Sequence, residues 1–460
     1  MATVINVPGD FPTITAAIAA AAPFDTIRVA PGTYNETVIV NKTIQLLGAQ
    51  AGVDARTRPG TAGAESIISA VNASGTVQLT ATHAVIDGFT IQNNTAGPGI
   101  VTAAAGSGYW IFSNIIRNNT FGIYLNSDTI LESQVRHNFF ISNNQAGAGS
   151  GNGVFSENGA NFWVDENLFT GHATSSVNFA PITPGAVNAV VSNNTMITDN
   201  SIAVTNASNI KIADNLQTNS QGSAIFFGGN SSNVDIEGNA ILNGVSNAVR
   251  VTTAFVGTPN TNIRMKNNTI SGNAVAGLNL DTGAYAVGGT SLALDATNNY
   301  WGSPTGPAPI GTGDAVIDPD GVAVVTPFLT EPPVDVTIPQ SLLTTGPIMV
   351  SSSPIQTAAV LLLNDDAVST ALFTITAYDL STGIKVPFAV FPFNIPPQQL
   401  RYQEIAVGGT FVYELEFSIV GTSQGTVSVW NLDVNKVQIL GLRLVAAEIY
   451  VLQQSFPTVD

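Results

Sequence analysis

One short phrase, an asparagine with an apolar residue three positions before it and another two after, recurs through the middle of this chain. It is centred on Asn114, Asn138, Asn167, Asn194, Asn215, Asn239, Asn268 and Asn299, at steps of 24, 29, 27, 21, 24, 29 and 31 residues. A repeat of 20–50 residues built from short β-type segments is the mark of stacked rungs, each burying its apolar face only against its neighbours. Asparagine suits the corner of such a rung, because it tolerates left-handed backbone angles and its amide can bond to the copies above and below. The repeat therefore predicts an all-β chain whose core is a single-stranded parallel β-helix, with these eight asparagines as an internal structural ladder.

The ends of the repeat region differ from its middle. Phe11, Ile14 and Ile18 form an apolar stripe at helical spacing, with Pro12 placed in the first turn and Pro23 as the stop, so residues 1–25 read as a helical cap over an open coil end. The phrase NNYWGSPTGPAPIG from Asn298 closes the repeats, and TEPPVD (Thr330 to Asp335) reads as a linker, 331–335 at its narrowest. Beyond it the asparagine repeat stops. Stretches such as AAVLLL, ALFTITAYDL and TFVYELEFSIV follow at about ten-residue spacing, which predicts a β-sandwich over 336–460. The expected domains are thus a β-helix over 1–330 and a sandwich over 336–460.

The opening, VINVPGDFPTITAAIAAAAPFDTIRVAPGTYNETVIVNKTIQLLGA, resembles the start of pectin-lyase-like right-handed β-helix proteins, pectin methylesterases among them. That resemblance implies the right-handed form of the coil. The methylesterase motifs that supply two aspartates and an arginine have no counterpart here: IDGFTI at Ile86 and YWGSPTGP at Tyr300 lack those groups. The ending, from TVSVW to EIYVL, resembles the C-terminal modules of Firmicute spore-surface proteins.

Only 10% of positions are charged and the net charge is −17, which argues against nucleic acid or an anionic membrane as partner. No apolar run reaches 18 residues, so no membrane-spanning segment is expected. With no cysteine there is neither disulfide nor thiol chemistry. His83, His137 and His172 fall in different repeats, and Asp314, Asp318 and Asp320 are interrupted by proline, so no metal and no cofactor is expected.

Strand alternation places positions −5 and −3 from each asparagine inward and −4 and −2 outward. Two outward groups stand out. Asp235 and Glu237 lie one repeat from Arg264 and Lys266, which reads as a charge-paired sheet. Arg136 and His137 lie one repeat from Asp165 and Glu166, beside Trp110, Phe112 and Trp163. Aromatic faces next to an acid, a base and an arginine suit a carbohydrate site. No catalytic set is assigned from sequence.

The leading functional expectation is a non-catalytic structural or interaction protein displayed on a spore surface, assembling through residues 336–460 with itself or with a surface protein. The N-terminal MATVINVPGDF, with no basic or apolar leader pattern, suits release by lysis. The alternatives are a polysaccharide lyase or depolymerase acting on a pectin-like or cell-surface glycan, and a glycan-binding adhesin or phage tail protein.

Overall fold

The structure is a computed structural model that describes residues 3–58, 64–288 and 292–333, and strands of a second unit between 341 and 454. Residues 59–63, the linker end at 334–335, and 446–449 and 455–460 of the C-terminal stretch lie outside the described residues. The first unit is a right-handed parallel β-helix with three sheets of thirteen, eleven and ten strands. Each rung visits the sheets in turn. One example runs through Trp110–Phe112 in the first sheet, Ile115–Arg117 in the second and Phe121–Tyr124 in the third, before Ser133–Arg136 begins the next rung. Among the described residues no helix is long and apolar enough to cross a membrane.

Alternation decides what fills the coil. On the first sheet Ile111, Val135, Val164, Val191, Ile212, Ile236 and Met265 pair in register and are all buried. On the second, Phe140 and Phe169 stack with centroids 4.6 Å apart and planes within 6°. Each inward residue thus touches its own copy one rung away, about 4.8 Å along the axis. Trp301, fully buried in the same core, stands at the last coils as the sequence expects.

The helical cap spans Ile14–Ala20, with Ile14, Ala17 and Ile18 turned to the core. Its start differs from the sequence expectation. Thr13 is the N-cap and accepts from the Ala16 amide, so Pro12 lies before the helix rather than in its first turn. Both ends are tied to the first coil: Glu36 accepts from the amides of Ile14 and Thr15, and the Lys42 ammonium donates to the carbonyls of Ile18, Ala19 and Ala21. Seven residues would not hold a helix in isolation, and these two side chains complement its dipole.

The asparagines form an unbroken internal ladder from Asn114 to Asn299. Each Oδ1 accepts the backbone amide of the previous asparagine at 2.9–3.0 Å. Each Nδ2 donates to the strand carbonyl at position −3 of the rung before, from Ile86 to Met265. The residue just before each asparagine has positive φ: Ser113, His137, Glu166, Asn193, Asp214, Gly238, Asn267 and Asn298. That corner suits glycine and asparagine best, as Gly238 illustrates.

A second ladder runs five residues further on and was not read from the sequence. Asn119 Nδ2 donates to Asn143 Oδ1, Asn143 Nδ2 to His172 Nε2, and His172 Nδ1 to Asp199 Oδ2 at 2.8 Å. A chain of donors running one way must end on a pure acceptor, and Asp199 is one. The same logic ends the last coils. Asn273 donates through its backbone amide and Nδ2 to Asp314 Oδ2, while the Gly272 amide reaches Oδ1. Asp318 and Asp320 bond to the amides of Ala323 and Gly283, so this aspartate-rich stretch closes turns.

The second unit contains two antiparallel sheets. One pairs Val386–Ile395, Ala371–Asp379, Val412–Val420, Ser341–Thr344 and Tyr450–Gln454, with Ile348–Met349 added; the other pairs Gln399–Ala406, Thr357–Asn364, Gly425–Leu432 and Gln438–Val445. Ala358, Val360 and Leu362 of one sheet and Phe373, Ile375, Leu415 and Phe417 of the other are buried.

Two tests follow from the interior. Asn239→Leu should lower stability by about 1–3 kcal/mol, because it strands two donors of Asn215 and the Ile212 carbonyl on the rung before and takes a donor from Asn268 Oδ1 on the rung after. Gln217 sits inward between Met196 and Ile241 with no partner for either amide atom among the described residues. Gln217→Leu should therefore raise stability by about 1–2 kcal/mol. Urea midpoints at constant slope separate the two, and equal losses would refute the ladder account. The second test is pH. Burial pushes the Asp314 carboxyl above its ordinary 3.8, outweighing the bonds from Asn273 and Gly272. Protonation is then favoured in the fold, so this group's contribution grows as pH falls through the raised pKa and is complete below 3.8. The stability of the native chain relative to Asp314→Asn should thus improve as pH falls from neutral towards 3.8.

Candidate functional site

The site is built where the first sheet turns the asparagine corner. Trp110, Gln134, Trp163 and Val190 form one outward column of paired positions, and Phe112, Arg136, Asp165 and Ser192 form the next. Strand alternation puts both columns on one face, and parallel pairing sets neighbours one rung apart. His137 and Glu166 follow directly at the corner, with φ of 55° and 53°. The same left-handed corner precedes every ladder asparagine, so the backbone is the scaffold's and only the two side chains are particular to these rungs.

Their side chains converge. Arg136 Nη2 lies 3.0 Å from Asp165 Oδ2 and 3.0 Å from Glu166 Oε2. Its guanidinium also stacks 4.4 Å over the Trp163 ring. His137 Nε2 is 3.2 Å from Glu166 Oε2. Glu166 Oε2 therefore faces both the guanidinium and the imidazole, and Oε1 has no partner among the described residues.

Asp165 corrects the alternation rule. Position −2 should face solvent, yet this residue is 1% exposed. Arg136 lies across it, and its other oxygen accepts from Ser192 Oγ at 2.7 Å and Asn193 Nδ2 at 2.9 Å. Ser192 accepts in turn from Trp163 Nε1 at 3.1 Å. A carboxylate so satisfied is an anchor: it fixes Arg136, and Arg136 fixes Glu166.

The other side of the site comes from a segment about 80 residues earlier. The loop following Gln45–Leu47 lays the Gly52 amide on both Asp87 oxygens at 3.1 Å and the Ala55 amide on the His137 carbonyl at 3.0 Å. Asp54 and Arg56 are thereby brought to His137. Arg56 binds Asp54 through Nε and Nη2, and Nη2 stands 3.5 Å from His137 Nδ1. Asp54 Oδ2 is 3.8 Å from the same nitrogen. The neutral ring is read from these partners as the Nε2–H form, which donates to Glu166 and accepts from Arg56; the charged ring would turn an N–H to each carboxylate. The imidazole is thus held from both sides.

Trp110, 44% exposed, stacks on Phe112 with centroids 5.7 Å apart and planes 23° from parallel. It stands one rung before Gln134 and two before Trp163. All seven residues singled out from the sequence thus lie on neighbouring rungs of one face or its corner. Asp54 and Arg56 were missed as partners because nothing in the repeat ties residues 49–58 to the rung of His137. The second outward group forms a looser lattice: Asp235 pairs with Arg264 at 2.8 Å, Lys266 with Asp295 at 2.7 Å, and Lys211 with Glu237 at 3.8 Å. His172 lies in the interior, and among the described residues no group of three or more metal-ligand side chains is present.

No protein-family pattern and no curated protein matches the chain. Among solved structures it is similar to an alginate lyase from Paenibacillus sp. str. FPU-7, at 14% identity over 70% of this chain and 99% of that one, with a TM-score of 0.44. It is likewise similar to the A-module of a mannuronan C-5 epimerase from Azotobacter vinelandii, at 15% identity, 71% and 98% coverage and a TM-score of 0.44. A third is the enzymatically active domain of tailspike protein 2 of bacteriophage CBA120, at 10% identity, 97% and 76% coverage and a TM-score of 0.37. The fold is the pectin-lyase-like β-helix that the opening residues resemble. These structures are titled as enzymes or an enzymatic domain and none as a spore-surface protein, which corrects the expectation of a non-catalytic spore-surface rod.

The two charged groups should respond differently to mutation. Asp165→Ala should cost about 2–3 kcal/mol, since it strands Arg136, Ser192 and Asn193. Asp235→Ala, in a solvent-exposed pair, should stay within about 1 kcal/mol. Chemical denaturation of both variants checks this, and equal effects would contradict the anchoring role of Asp165.

Proposed function

We propose that this chain is a polysaccharide depolymerase that works outside the cell on a glycan laid across the outward face of the first sheet. The observation that carries this reading is the His137–Glu166 pair. Two titratable side chains sit at hydrogen-bond distance on neighbouring corners, each part-exposed, with a cation and a carboxylate held behind them. Charge-paired sheets need no such convergence, and the Asp235–Arg264 lattice a few rungs away lacks it.

The roles follow from position. Trp110 offers an exposed ring edge and face for a sugar, in the manner of aromatic subsites. His137 transfers the proton at the scissile linkage, and Glu166, through Oε1, receives a hydroxyl or water of the substrate. Arg136 and Asp165 are positioning residues, since both act through Glu166. Asp54 and Arg56 hold the imidazole from the other side.

The test is a reducing-end assay over a panel of plant, algal and bacterial polysaccharides. Purified chain should release oligosaccharides from at least one polymer, and His137→Ala should lower kcat by about 10²–10⁴-fold. Trp110→Ala should act mainly on KM. Cleavage that survives His137→Ala, or no cleavage across the panel, would overturn the reading.

A further inference from the structure

We infer that the glycan taken by this site carries no carboxylate, so that its cleavage is a hydrolysis and not a β-elimination; this rests on the depolymerase reading above. The argument is one of charge. Both guanidiniums of the site are already opposite carboxylates, Arg56 on Asp54 and Arg136 on Asp165 and Glu166. Glu132, which accepts from Gln134 beside Trp110, adds a further acid. Three carboxylates therefore meet two guanidiniums and one imidazole, and Glu132 is a fourth, held by Gln134. Further along the same face Lys211, Arg264 and Lys266 each have a carboxylate partner as well.

A uronate polymer carries one negative charge per sugar. To bind here it would have to compete with a fixed carboxylate for each cation, within the field of a chain of net charge −17. β-Elimination also requires a cation free to neutralise the uronate carboxylate beside the proton removed, and each guanidinium here is already engaged. A sugar without carboxylates needs only what the site offers: an aromatic face at Trp110, the Oε1 of Glu166, unpartnered among the described residues, and the His137 edge. Hydrolysis balances with these groups. The glycosidic C–O bond breaks as water oxygen bonds to the anomeric carbon. The leaving oxygen takes one proton from the acid, the base takes one from water, and no double bond forms.

Calorimetry on the full chain tests this with four hexasaccharide probes: N-acetylchitohexaose, mannohexaose, chitohexaose and hexagalacturonate. At least one of the three carboxylate-free probes should bind about ten-fold or more tighter than hexagalacturonate, and should weaken about ten-fold in Trp110→Ala. Lowering salt from about 300 mM to about 50 mM should leave a neutral probe unchanged, tighten chitohexaose and weaken hexagalacturonate. Equal or tighter binding of hexagalacturonate, or no binding by any carboxylate-free probe, overturns the inference. Cleavage separates it from the reading it rests on. Uronate cleavage that generates an unsaturated, ultraviolet-absorbing product and is lost in His137→Ala keeps the depolymerase and refutes this inference. Binding of carboxylate-free probes with no cleavage of any polymer does the reverse.

Discussion

Everything in the β-helix hangs on how one rung is registered on the next, and the side-chain amide of asparagine sets that register. Backbone pairing alone leaves a parallel strand free to slip, because every register makes similar hydrogen bonds. An internal asparagine removes that freedom. Its Oδ1 takes the backbone amide of one neighbour while Nδ2 reaches the strand carbonyl of the previous rung, as Asn138 does with Asn114 and Ile111. A slip by one residue would break these bonds and also turn Val135 outward. Polar and apolar terms therefore select the same alignment.

The site inherits its geometry from that alignment. Arg136 meets Asp165, and His137 meets Glu166, because both pairs flank asparagines locked to each other at 2.9 Å. The corner before each asparagine is left-handed in every rung, so its side chain projects outward wherever a larger residue replaces asparagine or glycine. The scaffold thus presents a row of fixed positions, and only two neighbouring ones carry an imidazole beside a carboxylate. The long loop after the first coil then completes the site from the open side. Function here is a local decoration of a repeat whose own demands are met elsewhere.

How much of this the sequence discloses depends on which physical rule was in charge. The ladder from Asn114 to Asn299 was legible because one residue type recurs at one position for one reason. The inward columns were legible from alternation. The second ladder was hidden because its register is kept by mixed chemistry, Asn143, His172 and Asp199 in succession, although all three fall five residues after a ladder asparagine. Asp165 was misplaced as solvent-facing since alternation says nothing about a neighbour folding over it. Asp54 could not be joined to His137 from pattern alone, because that contact spans a loop with no repeat of its own. The spore-surface reading leaned only in part on a resemblance, and that resemblance is confined to the C-terminal strands, far in sequence from the residues that converge.

Native-state hydrogen exchange resolved to single residues is the most direct check on the central claim. The backbone amides of Asn114, Asn138, Asn167, Asn194, Asn215, Asn239 and Asn268 each donate to a buried side-chain oxygen on the next rung. If the ladder sets the register, these corner amides exchange only through global unfolding, as slowly as the centre of a strand. Exchange at the rate of ordinary surface turns would show that the corners open independently and that the register is held by something else.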